Sequence, residues 1–195
     1  MGVIVPKSII AIYSLVPRSG KTTLAYRITK EWGYESVSFA APIKRMVVDF
    51  ITSFGVEYVR ALKYVYDEKE VEIPQIGVSA RRLMQTLGTE WGRNLIRGDV
   101  WVRAVEQKVL KIPVTRARGV VIDDLRFQNE AQWVIDMGGM VVRIDRDAVT
   151  ERYEGDHPSE GELAGFRPDL ILKNNSGLED LWYEFVRALE STRAA

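Results

Sequence analysis

The stretch Ser8-Ile9-Ile10-Ala11-Ile12-Tyr13-Ser14-Leu15-Val16-Pro17-Arg18-Ser19-Gly20-Lys21-Thr22-Thr23 decides how this chain is read. Its first six residues are apolar and β-branched, as a buried strand requires. From Thr22 to Glu31 the spacing of Leu24, Ala25 and Ile28, extended by Trp32, gives a helix with one apolar face, and Gly33 stops it. Between strand and helix stands Arg18-Ser19-Gly20-Lys21-Thr22-Thr23. A turn that opens a helix is an anion site, because unpaired backbone N–H groups and the helix dipole point the same way. On this reading Gly20 lets the backbone approach a phosphate and Lys21 sits on the β- and γ-phosphates. Thr22 offers a hydroxyl to Mg²⁺, with Ser19 and Thr23 flanking these residues in the loop. Leu15 stands where the G-x-x-x-x-G-K-[ST] spelling has its first glycine. A basic helix start with a chance Gly-Lys-Thr is the competing reading; the position between strand and helix favours a nucleotide.

Outward from that loop, strand and helix alternate. Ser36 to Ala40 reads as a second strand and Ile43 to Phe54 as a helix. Glu57 to Gly77 is mixed and charged, an insert. Ser79 caps a helix running through Leu83 and Leu87 to Gly88, and Asp99 caps another from Val100 to Lys111. Gly119 to Ile122 is continuously apolar, as in a strand covered on both faces of a parallel sheet. A helix from Asn129 to Met137, strands at Met140 to Ile144 and Asp169 to Leu172, and a last helix behind the capping box Ser176-Gly177-Leu178-Glu179 follow. Leu178, Leu181, Trp182, Phe185, Val186 and Leu189 form that helix's apolar stripe. The alternation predicts a doubly wound α/β sheet.

Asp123 and Asp124 close the third strand, in Val120-Val121-Ile122-Asp123-Asp124-Leu125-Arg126. An acid at the carboxyl end of a buried strand is where nucleotide-binding α/β proteins place a metal-directed carboxylate. Asp124 is the expected residue and Asp123 its neighbouring alternative, since adjacent strand residues face opposite sides.

At this point the chain resembles the phage deoxynucleoside monophosphate kinases of the T-even type, within the P-loop nucleotide kinases. The resemblance is carried in order by Arg18-Ser19-Gly20-Lys21, Phe39-Ala40-Ala41-Pro42-Ile43-Lys44, and Ser79-Ala80-Arg81-Arg82-Leu83-Met84-Gln85-Thr86-Leu87-Gly88-Thr89. It continues through Trp101-Val102, Asp124-Leu125-Arg126 with Asn129-Glu130-Ala131, and His157-Pro158-Ser159-Glu160. It implies a three-layer sandwich around a central, mostly parallel sheet of about five strands, with a helical substrate-binding insert. The expected plan is one kinase domain, with a core of residues 1–40 and 112–195, an acceptor-binding insert over 41–111 and a lid over 145–156.

The activity it implies is transfer of the ATP γ-phosphoryl group to a deoxynucleoside 5′-monophosphate, with Mg²⁺. Lys21, Arg18, Asp124 and Arg126 are the expected catalytic residues, and Thr22 and Asp124 the expected metal ligands. Phe39, Lys44, Arg81, Gln85, Trp91, Arg126 and Glu130 are expected at the acceptor, and Arg146 reaches the ATP phosphates from the lid. Phosphoryl transfer is mainly positioning and charge neutralisation, so a ring of cations suits it, and arginine's fork meets phosphate oxygens in pairs. Relatives often carry an acid where Thr22 stands. That departure keeps open a kinase acting on a hydroxymethylated pyrimidine in DNA, a step of phage base modification. A nucleotide-driven switch is a third reading, disfavoured by a second substrate pocket. The resemblance alone suggests a homodimer.

Other residues have plainer readings. His157 precedes Pro158, and Ser159 with Glu162 spells a capping box. Trp91 and Trp101 suit either a core or a base stack, and Asp67 to Glu70 a solvated face. Glu130 also suits a helix N-terminus.

Composition closes off other classes. With 27 basic and 27 acidic residues the net charge of the 195-residue chain is zero, which disfavours a nucleic-acid coat protein. No cysteine is present, so disulfides and thiolate chemistry are excluded. The apolar run near Ile9 to Val16 is far short of the ~20 residues that cross a bilayer. The N-terminus lacks a basic n-region, and Pro6 stands where a myristoylation signal has Ser or Thr. A cytoplasmic protein is expected, the host's cytoplasm if phage-encoded. Asn174-Asn175-Ser176 spells a glycosylation sequon that has no use without export.

Overall fold

A computed structural model describes residues 8–113, 115–147 and 161–193. They form two compact units, one of the described residues within 1–38 and 107–195 and the other of Phe39–Glu106.

In the first unit β1 (Ser8–Tyr13), β2 (Glu35–Ser36), β5 (Gly119–Ile122), β6 (Met140–Asp145) and β7 (Leu170–Lys173) form one sheet in the order β2-β5-β1-β6-β7. Every pairing in it is parallel. Ile9, Ile10 and Ala11 lie opposite Val120, Val121 and Ile122, and Ala11 and Ile12 opposite Val141 and Val142. Such runs are apolar throughout because helices cover both faces. Ile10, Ile12, Val142 and Ile144 pack with Leu24 and Ile28 of α1 (Lys21–Trp32) and with Leu181 and Phe185 of α7 (Leu178–Arg193). The opposite face carries Ile9, against which α6 (Gln128–Asp136) lays Val134 beside Gly139. Three layers result, and each such side chain contributes about 1.5–3 kcal/mol by leaving water. The chain turns back across β1 between β5 and β6, so β1's carboxyl end marks the switch in strand order where open α/β sheets bind ligands.

The second strand is shorter than its composition suggests. Val37 N–H donates to the Val121 carbonyl at 2.9 Å. The chain then leaves the sheet, and Ser38 turns its hydroxyl to Asp124.

The second unit is helical, with α2 (Ala41–Ser53), α3 (Tyr58–Tyr66), α4 (Ala80–Gln85) and most of α5 (Val100–Lys111). The charged stretch expected as an insert holds α3 and one strand of a hairpin, β3 (Glu72–Ile73) with β4 (Val78–Ser79). Ser79 caps α4 as expected, its hydroxyl accepting from Arg82 N–H at 3.3 Å. The helix does not stop at Gly88. It widens into a π-helical segment over Thr86–Ile96, a form common at functional sites. Glycine ends a helix by turning left-handed, and neither Gly88 nor Gly92 has positive φ. Both serve packing. The Gly88 carbonyl accepts from the indole N–H of buried Trp101 at 2.7 Å, and a Cβ on Gly92 would lie 2.5 Å from that ring. Trp101 is therefore core. Among the described residues no helix is long and apolar enough to cross a membrane.

Gly92→Ala should therefore destabilise the protein by about 1–3 kcal/mol, the usual cost of overpacking a core. Gly98→Ala, which meets nothing within 4 Å, should stay within about 0.5 kcal/mol. Urea denaturation of the two variants checks this.

Candidate active site

The loop from Ser14 to Gly20 joins β1 to α1, and its backbone alternates in hand. Arg18 (φ 53°) is the one non-glycine in the left-handed region among the described residues. Ser19 is not left-handed, Gly20 is (φ 102°), and Lys21 is helical. Alternation of this kind curls successive N–H groups toward one point, a concavity for an anion. It also explains Leu15: the left-handed turns fall at Arg18 and Gly20, so no glycine is needed at position 15.

Lys21 stands at the first position of α1, its ammonium 3.4 Å from the Ser19 hydroxyl. Burial, followed by the positive charge of Arg126, pushes it down to about 8, with Asp123 pulling the other way. Lys21, Arg126 and Asp123 thus form one electrostatic cluster at the carboxyl ends of β1 and β5. Asp124 accepts from Ser38 Oγ at 2.7 Å, so the two expected carboxylates have different surroundings. Thr22 and Thr23 are exposed on the first turn of α1.

Glu130, expected at the acceptor, is only 2% exposed. Its carboxylate accepts from the backbone N–H groups of Arg126 (2.9 Å) and Phe127 (3.2 Å). It opens α6 and shapes the turn carrying the exposed Arg126, so the helix-terminus reading describes it.

Arg146 donates from Nη1 to the Arg18 carbonyl at 2.7 Å, and the buried Asn174 side-chain N–H donates to the Ser19 carbonyl at 2.8 Å. Sequence reasoning passed over Asn174 as part of a sequon, and Ser38 altogether; a polar residue at the carboxyl end of a buried strand was the available signal. Beyond Asp147 the expected lid, with Arg152, lies outside the described residues, as do His157 and Ser159. Glu162 accepts from Gln128 N–H at 3.0 Å.

The remaining acceptor candidates belong to the second unit. Phe39 is buried at its start. Lys44 Nζ lies 5.0 Å above the Tyr66 ring. On α4, Arg81 is engaged by Glu70, whereas the adjacent Arg82 is 3.9 Å from Glu90. Gln85 is half-buried at the end of α4, and Trp91 is 40% exposed on the π-helical segment.

A family model described as deoxynucleotide monophosphate kinase matches residues 50–184. The chain belongs to that family. It is a nucleotide kinase, and the two motifs read as phosphate loop and strand-end acids sit on the sheet of such an enzyme. A protein of Acanthamoeba polyphaga mimivirus, provisionally assigned as a deoxynucleotide monophosphate kinase, is 28% identical over 89% of this chain and 92% of its own length. The deoxynucleoside-5′-monophosphate kinase of Escherichia phage T5 is 28% identical over 88% of this chain, which spans 64% of that relative. The deoxynucleotide monophosphate kinase of Escherichia phage RB69 is 30% identical over 57% of this chain and 45% of its own. Among solved structures, dephospho-CoA kinase from Campylobacter jejuni aligns at 13% identity over 94% of this chain and 96% of its own, with a TM-score of 0.47. The strand order, not that likeness, defines the fold.

A buried ammonium weakens the empty protein. Unfolded, Lys21 keeps its proton to its ordinary value of 10.5; folded, it loses it near 8. Between those values the unfolded chain binds more protons, so stability rises with pH; below about 8 the full penalty applies. Lys21→Met should therefore raise the stability of the empty protein by about 1–3 kcal/mol at pH 7. The gain should shrink toward pH 10, as read by urea denaturation at both values.

Proposed function

We propose that the chain moves the γ-phosphoryl group of ATP onto the phosphate of a deoxynucleoside 5′-monophosphate, giving ADP and the deoxynucleoside diphosphate. The observation that carries this reading is the alternating loop Arg18–Lys21, with the Lys21 ammonium beside Arg126 and Asp123, in a chain of this family. An oxygen of the acceptor phosphate attacks the γ-phosphorus, the bond to the bridging β-oxygen breaks, and negative charge moves onto the leaving diphosphate. The N–H groups of residues 19–21 hold the ATP phosphates, and Lys21 stabilises charge on the transferring group. Arg18, Ser19, Thr22 and Thr23 complete the donor site. Arg126, presented by the Glu130 turn, stands beside Lys21 and bridges donor and acceptor phosphates.

The residues present suit Mg²⁺. Thr22 hydroxyl and the carboxylates of Asp123 and Asp124 are hard oxygen donors. Magnesium takes one or two such groups together with substrate phosphates rather than a closed protein cage. Bound there, it neutralises the β- and γ-oxygens. Asp123, the carboxylate coupled to Lys21, is the stronger ligand candidate. Asp124, tied to Ser38, orients the strand end.

In this reading residues 41–111 bind the acceptor. Arg81 meets its phosphate, with Lys44 in support, and Gln85, Phe39 and Trp91 surround sugar and base. The stretch 145–156 is the lid over a single kinase domain, and a homodimer is the expected assembly.

Incubating the protein and labelled ATP with single deoxynucleoside monophosphates, or with hydroxymethylated DNA, tests the reading. Label should appear in a deoxynucleoside diphosphate. Label in DNA alone, or only free phosphate, would overturn it. Lys21→Ala should lower kcat by about 10²–10³-fold. Arg81→Ala should raise KM for the acceptor at least about tenfold, the effect of one charged hydrogen bond, with KM for ATP little changed. Steady-state kinetics with each substrate varied in turn separates these effects.

A further inference from the structure

We infer that Asn174 is a positioning residue for the phosphate loop, holding the Ser19–Gly20 peptide so that its N–H faces the bound ATP. The inference rests on reading residues 18–23 as the ATP loop. Asn174 immediately follows β7 and is 5% exposed. Its backbone N–H donates to the Asp145 carbonyl at 2.8 Å, which ties it to the end of β6. Its side-chain N–H then donates to the Ser19 carbonyl at 2.8 Å. A trans peptide holds C=O and N–H in one plane, pointing in opposite directions. Fixing the Ser19 oxygen toward the β7 end therefore aims the Gly20 N–H away from it. Arg146 does the same one peptide earlier, through the Arg18 carbonyl.

The two donors come from strand ends that are themselves fastened together. Asp147 N–H donates to Asn175 Oδ1 at 3.0 Å, and Asn175 Nδ2 donates to Asp147 Oδ2 at 2.7 Å. Both loop contacts land on carbonyls of the segment whose backbone hand alternates, where a left-handed arginine persists only if its surroundings fix it. The chemistry demands asparagine. A carboxylate of the same shape has no hydrogen to give and would set negative charge against a carbonyl oxygen. The sequon spelling therefore marks a buried donor.

The test uses the full chain and compares Asn174→Ala, Asn174→Asp and Asn175→Ala. Isothermal calorimetry gives the Kd for Mg·ATP, kinetics the acceptor KM, and thermal melting the stability. Asn174→Ala and Asn174→Asp should each weaken ATP binding at pH 8 by about tenfold or more, the scale of one hydrogen bond that orients a charged contact. The acceptor KM should stay within roughly twofold, about a third of that change on the logarithmic scale. Asn174→Asp should regain ATP affinity toward pH 6, where a protonated carboxyl can donate, beyond any change in the wild type. Asn175→Ala, which cuts the neighbouring fastening but leaves the donor, should melt earlier yet keep ATP affinity.

Wild-type ATP affinity in Asn174→Ala overturns the role. Parallel loss of ATP and acceptor affinity in Asn174→Ala and Asn175→Ala alike also overturns it. If Asn174→Asp does not fold, the contrast between the two alanine variants decides. A parallel Lys21→Ala assay separates the layers. If it keeps full turnover, the loop reading itself falls; if it loses turnover while the Asn174 variants bind ATP normally, only the positioning role falls.

Discussion

Everything in the first unit depends on one constraint: a helix that opens at a strand end leaves its first N–H groups without partners. In this chain those groups are gathered by a backbone that turns left-handed at Arg18 and again at Gly20. A non-glycine in that region costs about 1–2 kcal/mol. Hydrogen bonds to the Arg18 and Ser19 carbonyls, each worth about 0.5–1.5 kcal/mol net and more from a guanidinium, offset it. The loop is thus held open by its neighbours before any ligand arrives. That is what preorganised charge stabilisation requires.

The same logic governs the charges. Lys21 is held in a partly buried place beside Arg126, which costs stability in the empty protein. A group tuned this way binds anions more strongly than an exposed lysine would, because little water must be displaced when the ligand docks. Asp123 moderates the cost, and Glu130 holds the turn that carries Arg126 by accepting from its N–H and that of Phe127.

In the second unit rigidity has a different source. Ile43, Val47 and Ile51 of α2, with Ala61 and Val65 of α3, build a separate core around Trp101. The π-helical turns over Thr86–Ile96 wrap that indole, using Gly88 as acceptor and Gly92 as clearance. They also leave Trp91, Leu95 and Ile96 outward. A π-helical stretch of this length is rare.

Much of this was legible in the sequence. Local pattern fixed the parallel strands, α1, the Ser79 cap and the turn between β1 and α1, because strand composition, helical period and a turn spelling are all written within a dozen residues. Family motifs carried the kinase reading. What the sequence did not disclose lies at long separation or in packing. Asn174 meets Ser19 across 155 positions and Ser38 meets Asp124 across 86. Such contacts leave no periodic trace, since they exist only once β2, β5, β1, β6 and β7 stand side by side. Glycine's meaning was likewise undecidable locally: at 33 it ends a helix, at 88 and 92 it clears space for Trp101. The sequence by itself determined the strands of the parallel sheet, α1, and a turn between β1 and α1 that carries the spelling of a phosphate site. Only the tertiary structure decided which distant side chains aim that loop, because a hydrogen bond's direction is set by where two strand ends come to rest.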